Sequence, residues 1–247
     1  MGDLRRIVSA LALCVCFVAT TGHASGGAVH LEESGIDPGD IHSLQRGARN
    51  FMNYCSGCHS AKYVRFNSMA DDLELTEDHL INNLMFNAEK TFETIETSML
   101  ADDAERWLGR APPDLSLMAR ARTTDYTFNF LKGFYLDPGS PSGVDNRILP
   151  GTAMPHVLWE LQGFQTGVFI EDERGMTVFG HLEPLTTGSM SAEEFDSFVR
   201  DTVNFLEYIS EPMRSTRRFL GFWVLGFLAI FWVFASLLKK QIWKDVT

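Results

Sequence analysis

Cysteine is scarce in this chain: four in 247 residues, two of them, Cys14 and Cys16, inside an apolar N-terminal stretch. The remainder holds one pair, Cys55 and Cys58, which excludes a scaffold stapled by several disulfides. Basic residues are short as well, 21 Lys and Arg against 32 Asp and Glu, and 13 against 29 between Ser25 and Ser210. A surface that acidic excludes nucleic acid as a partner. It fits a basic protein partner and, equally, plain solubility. Internal repeats and low-complexity tracts are missing, and long apolar runs occur only at the two ends.

The N-terminal run has Arg5 and Arg6 ahead of Ile7 to Val18, too short to span a bilayer comfortably. Small residues Gly22 and Ala24 follow, so residues 1–24 read as a cleaved signal peptide, with a retained anchor as the alternative. The second run, Phe219 to Leu238, carries no charge and reads as a transmembrane helix. Trp223, Trp232 and Trp243 suit the interfaces, and Lys239, Lys240 and Lys244 close the far end. The expected plan is an exported domain over 25–210, a juxtamembrane linker over 211–218, the membrane helix over 219–238 and a cytoplasmic tail over 239–247.

The one remaining cysteine pair sits in Cys55-Ser56-Gly57-Cys58-His59. This is C-x-x-C-H, the attachment signature of a c-type haem. Thiols three residues apart share a helical face and can bond the two vinyl groups of one porphyrin. His59 then reaches the iron as proximal ligand. A zinc site on Cys55, Cys58 and His59 would need a fourth ligand. A thioredoxin-like pair would need a βαβ setting, which the surrounding pattern lacks.

Asp40 caps an expected helix from Ile41 to about Tyr54, with Gly47 letting another helix approach and Phe51 filling the space beside it. Its partner is expected after the capping box Ser191-Ala192-Glu193-Glu194, where Phe195, Phe198, Val199, Thr202, Phe205, Leu206 and Ile209 make one stripe. Shorter helices are expected from Thr76 to about Phe86, Asp102 to Leu108, Leu115 to Arg122 and Asp125 to Tyr135. Residues 139–150 read as a loop, and Gly167–Glu171 with Met176–His181 as a hairpin. The fold class is mainly α: a c-type cytochrome domain with loop insertions and a small β-hairpin, plus one C-terminal transmembrane helix.

An electron carrier wants the iron's second axial site filled, and methionine sulfur favours the ferrous state. Met52, Met85, Met99 and Met118 read as core, and Met69 lies in polar sequence near the haem motif. Met176 falls in a strand and Met190 just before a cap. Met154 stands apart, in the proline-stiffened small-residue loop Pro150-Gly151-Thr152-Ala153-Met154-Pro155. His156, two residues on, is the rival ligand.

The haem motif with Tyr63-Val64-Arg65-Phe66, then Pro112-Pro113-Asp114-Leu115-Ser116 with Arg120-Ala121-Arg122, resembles the cytochrome c1 family. So do Met154-Pro155-His156-Val157-Leu158-Trp159-Glu160-Leu161 and Ser210-Glu211-Pro212 before a single tail helix. The resemblance implies that Cys55 and Cys58 carry one haem c and that His59 and Met154 ligate its iron. It further implies that Arg122 pairs with a propionate, where the residue alone reads as a surface arginine. Pro113 would pack on the haem face and Tyr126 would line the pocket. The acidic insertions of the mitochondrial form are shortened here, so the docking surface is open. The implied role is the redox subunit, not catalytic alone, of a quinol–cytochrome c reductase (bc1 complex) in a bacterial inner membrane. Its haem domain would lie in the periplasm and its C-terminus in the cytoplasm. It would assemble with cytochrome b, take an electron from a Rieske iron–sulfur protein and pass it to a cytochrome c. The alternatives are a free-standing tail-anchored shuttle and a haem sensor with an open iron site.

Overall fold

In the computed structural model, residues 31–171 and 175–245 are described. They run α1 (Ile41–Tyr54), β1 (Ala61–Arg65), α2 (Phe66–Asp72), α3 (Glu77–Asn83), β2 (Thr94–Ile95) and α4 (Ala101–Leu108). Next come α5 (Met118–Arg122), α6 (Thr124–Lys132), β3 (Phe134–Leu136), β4 (Val144–Asn146) and α7 (Trp159–Gln162). β5 (Gln165–Glu171), β6 (Thr177–Pro184), α8 (Ala192–Ser210) and α9 (Arg214–Ile242) complete the order. The expected signal peptide, 1–24, lies outside the described residues.

Both principal helices start where their caps direct. The Asp40 carboxylate accepts from the backbone N–H groups of His42 and Ser43. At α8 the Ser191 hydroxyl accepts from Glu194 N–H while the Glu194 carboxylate accepts from Ser191 N–H, a closed capping box. The whole expected stripe of α8 is buried.

The most extensive helix–helix contact is α1 on α8. Gly47 makes it possible: a Cβ there would stand 2.1 Å from the Asp201 carbonyl oxygen and 2.7 Å from Phe205 Cβ. Phe51 and Phe205 meet beside it, ring centroids 5.6 Å apart. A polar seam fixes the register. Asp201, buried, takes Arg46 Nε at 2.6 Å and Ser43 Oγ at 2.7 Å, and Asn50 Nδ2 reaches Thr202 Oγ1 at 3.2 Å.

α8 divides the interior into two clusters. Its C-terminal half packs with α1, β1, α2, α3 and β2 around Phe51, Met69 and Leu73. Its N-terminal half packs with α6 and α7 around Phe128, Leu131 and Leu161.

Several expectations need correction. The helix expected over Asp125–Tyr135 ends at Lys132, because Gly133 takes the C-cap and Phe134–Leu136 pairs antiparallel with Val144–Asn146 instead. That pairing also puts a strand inside the expected loop 139–150. The Leu115–Arg122 helix begins only at Met118: Asp114 accepts from Ser116 N–H and Lys62 N–H and holds the preceding residues in a turn. The helix after Thr76 stops at Asn83, and Ile81 within it is exposed. Met69 is fully buried rather than polar in setting. The hairpin forms as β5 and β6 over longer spans than expected, seated by Phe169 and Phe179 against Tyr135.

The candidate span of α9, Thr216–Ile242, is 27 residues long, and an 18-residue window inside it has mean hydropathy 2.2 with no buried share. At 1.5 Å per residue the span reaches about 40 Å, against roughly 30 Å of hydrocarbon. Glu211 pairs with both Arg217 and Arg120, and Glu207 with Arg214, which ties the base of α9 to α5 and α8.

Candidate functional site

Past the end of α1 the chain tightens into a turn. Cys58 N–H and His59 N–H both donate to the Cys55 carbonyl, at 3.1 and 2.8 Å. The buried Ser56 hydroxyl locks the turn onto Met52 O at 2.7 Å. These bonds set Cys55, Cys58 and His59 along one wall of a cleft of about 420 Å³ that opens between the two clusters. Phe198, Thr202 and Leu206 of α8 contribute to the lining, and Met154, Tyr126 and Phe130 come from the side of the second cluster.

The two thiols are unbridged. Burial, with Cys58 adding to it, pushes the Cys55 thiol up to about 12, and burial raises Cys58 too. A reactive redox pair shows the opposite, a thiol lowered by nearby positive charge or a helix N-terminus. Nor do the described residues contain a cluster of three His, Cys, Asp or Glu side chains that could hold a metal ion. The zinc and thioredoxin-like readings therefore lose their footing.

His59 Nδ1 stands 2.8 Å from the Pro113 carbonyl. With Nδ1 donating there, Nε2 carries the lone pair and is free to coordinate. Burial lowers the imidazole's basicity, partly opposed by Pro113 and Asp114, which keeps the ring neutral as a ligand must be. Pro113 is in the cleft lining, and its carbonyl's grip on His59 was not anticipated. A backbone acceptor 54 residues away leaves no trace in sequence spacing.

Arg122 and Tyr126 lie on one stretch of the lining, the guanidinium 5.5 Å from the ring centroid. Arg122 is solvent-exposed, the position from which a cation can meet a charged group at a cleft mouth. Met154 faces the cleft from a loop whose Gly151 N–H is held by Asp145 Oδ1 at 2.7 Å. His156 does not line the cleft. It is buried behind the loop, its ring stacked on Phe134 at 5.1 Å and 7°.

Three further lining residues were read as core or passed over: Met99, Met118 and Trp107. Met99 and Met118 belong to the haem-motif side, where Thr97 Oγ1 donates to Gly57 O and Leu115 N–H to Ser60 O. Asn50 and Thr202, also in the lining, were the readable pair, lying one helical turn from Gly47 and Phe198 on the crossing helices.

A haem fits this donor set. The cleft is predominantly apolar, as a flat macrocycle requires, two thiols stand at one wall, and a neutral imidazole nitrogen is uncommitted among the described residues.

The Cytochrome C1 family model matches residues 33–164 and 185–246. The chain is 43% identical to cytochrome c1 of Allochromatium vinosum, over 98% of this chain and all of that protein. It is 40% identical to the ammonia monooxygenase gamma subunit of Nitrosomonas europaea, over 98% and 99%. Against cytochrome b/c1 of Bradyrhizobium diazoefficiens it is 26% identical, over 83% of this chain and 34% of that one. A family match across most of the sequence and end-to-end likeness to a cytochrome c1 agree with the cleft's chemistry: the chain belongs to the cytochrome c1 family, whose members carry one covalently attached haem c.

Proposed function

We propose that this chain is the haem c electron carrier of a quinol–cytochrome c reductase, taking an electron from a Rieske iron–sulfur protein and passing it to a cytochrome c. The observation that carries the site is the cleft itself, with Cys55, Cys58 and His59 on one side and Met154 on the side of the second cluster. Cys55 and Cys58 form the thioethers. His59, oriented by the Pro113 carbonyl, is the proximal ligand. Met154 is the distal ligand; Met99 and Met118 are tethered on the same side as His59, which disfavours them. Arg122 holds a propionate, and Tyr126 and Pro113 border the macrocycle.

The bound haem supplies a one-electron ferric–ferrous couple. The chain's share would be to hold the iron through His59 and Met154, so that electron gain reorganises little, with the soft sulfur of Met154 favouring the ferrous state. The apolar lining excludes water and raises the potential further. Residues 1–24 direct export, so that the haem domain is periplasmic, α9 anchors it in the inner membrane and the C-terminal tail is cytoplasmic. A cytochrome b partner is supported by the Bradyrhizobium relative, named for both proteins.

A second reading rests on the Nitrosomonas relative, whose name places it in an ammonia monooxygenase. Affinity isolation of the full chain from membranes in mild detergent separates the two. Cytochrome b and a Rieske protein in stoichiometric amount are expected; their absence beside other oxidoreductase subunits would move the assignment to the second reading.

A further inference from the structure

The loop that presents Met154 is held at its start by Asp145 on Gly151. Its other side meets His156, and this residue has an unfilled bonding requirement. Its side chain is buried, and both ring nitrogens lack a hydrogen-bond partner among the described residues. Gln162 Oε1 is in the same condition. Orphaned polar atoms in an interior are costly, so two complementary ones, one on a ring stacked against Phe134 and one on a side chain bonded to the Lys132 carbonyl just before it in the chain, call for a joint explanation.

The groups that act on the His156 ring are the Gln162 side chain and the Gly163 backbone, close by but outside strict hydrogen-bond geometry. Gln162 is already committed at its other end, Nε2 donating to the Lys132 carbonyl at 3.0 Å. That bond fixes the amide's orientation and leaves Oε1 as an acceptor. The imidazole, pinned flat against Phe134, has an N–H to give.

We propose that His156 and Gln162 form a latch behind the Met154 loop, imidazole N–H to amide oxygen, that keeps the Met154 sulfur in the cleft. The inference rests on Met154 being the distal ligand. The latch ties the loop to the C-terminal end of α6 through Lys132, next to Leu131 in the cleft lining. His156 is thus a positioning residue. A histidine that merely filled space would be replaceable by phenylalanine without effect on the iron.

The test uses the full chain in mild detergent, with His156→Phe, Gln162→Leu, the double variant and Met154→Leu. His156→Phe keeps the stacking ring and removes the donor; Gln162→Leu removes the acceptor from a partly exposed residue and serves if the first variant does not accumulate. Both are expected to keep covalent haem, to lower the reduction potential and to raise the carbon monoxide affinity of the reduced protein about five- to tenfold, the factor of one ordinary buried hydrogen bond. The double variant should be no worse than either single one. Unchanged carbon monoxide affinity and potential in both single variants, with Met154→Leu altering both, would overturn the latch. If Met154→Leu itself changes neither, the assignment of Met154 falls and the latch with it.

Discussion

Met154 and His156 lie two residues apart and face opposite ways, the sulfur into the cleft and the ring onto Phe134. Spacing alone made both plausible iron ligands. What separates them is tertiary: Phe134 sits in a strand that the sequence pattern assigned to a helix, so the stack that turns His156 away was invisible beforehand. For His59 the reverse holds, since C-x-x-C-H itself proposes the ligand and the structure adds the Pro113 acceptor. Replacing Met154 by leucine removes the soft donor while keeping bulk. The potential is expected to fall on the order of 0.2 V, within the roughly 0.8 V range that axial ligands command, and the reduced iron should then bind carbon monoxide. Redox titration and a carbon monoxide difference spectrum check this; wild-type behaviour in both would return the distal seat to Met99 or Met118.

Elements were legible where a cap and a period coincide. Asp40 and Ser191 start α1 and α8 as read, and Gly47 marks their crossing. β3, β4 and the short β1–β2 pair were not legible, because two to five residues give no period, and β1 and β2 are also remote from each other in the chain. At the crossing, Gly47→Ala drives a Cβ into the Asp201 carbonyl, a backbone atom that cannot swing aside. Overpacking of this kind costs about 1–3 kcal/mol, and alanine's better helix propensity returns up to about 1 kcal/mol. A net loss of about 1–2 kcal/mol in denaturant unfolding is expected; a stabilised variant would mean the helices part freely. The Glu194 carboxyl is held below its ordinary 4.5 by the Ser191 N–H and then the hydroxyl. A depressed folded value means the ionised form's contribution is present above 4.5 and lost as pH falls through the lower value. The melting difference between wild type and Glu194→Ala should therefore narrow on acidification below 4.5; a constant gap would assign it to side-chain packing. The hairpin, residues 165–184, is the stretch between the two family-matched segments, and Leu185 N–H already donates to Phe164 O at 2.8 Å. Joining Phe164 to Leu185 through a short glycine turn should leave covalent haem intact. Loss of the haem-stained band on denaturing electrophoresis would show that β5 and β6 support the cleft through Tyr135.

At the scale of the whole molecule, the apolar helix α9 was the plainest feature of the sequence, but its attachment was not. The chain ahead of it ends in two acids and meets three arginines: Glu207 with Arg214, and Glu211 with Arg217 and Arg120. Sequence order could suggest the first two pairs and not the third, which comes from α5 beside the cleft. The Glu207 side chain is only 10% exposed. A poorly hydrated carboxylate stripped of its partner costs more than an exposed pair is worth. Two truncations separate anchoring from this junction. A chain ended after Arg218 keeps all three pairs; one ended after Ser210 loses Arg214, Arg217 and Glu211. Both should be soluble and carry covalent haem, since among the described residues none beyond Leu206 lines the cleft. The shorter chain should unfold at lower denaturant, by about 1–2 kcal/mol given that Arg214 is itself partly exposed. Glu207→Gln placed in the shorter chain should recover much of that loss, because it removes the stranded charge. Equal stability of the two truncations would show that the ion pairs only decorate the junction. Absence of haem from both, with export intact, would mean that the cleft depends on the membrane helix.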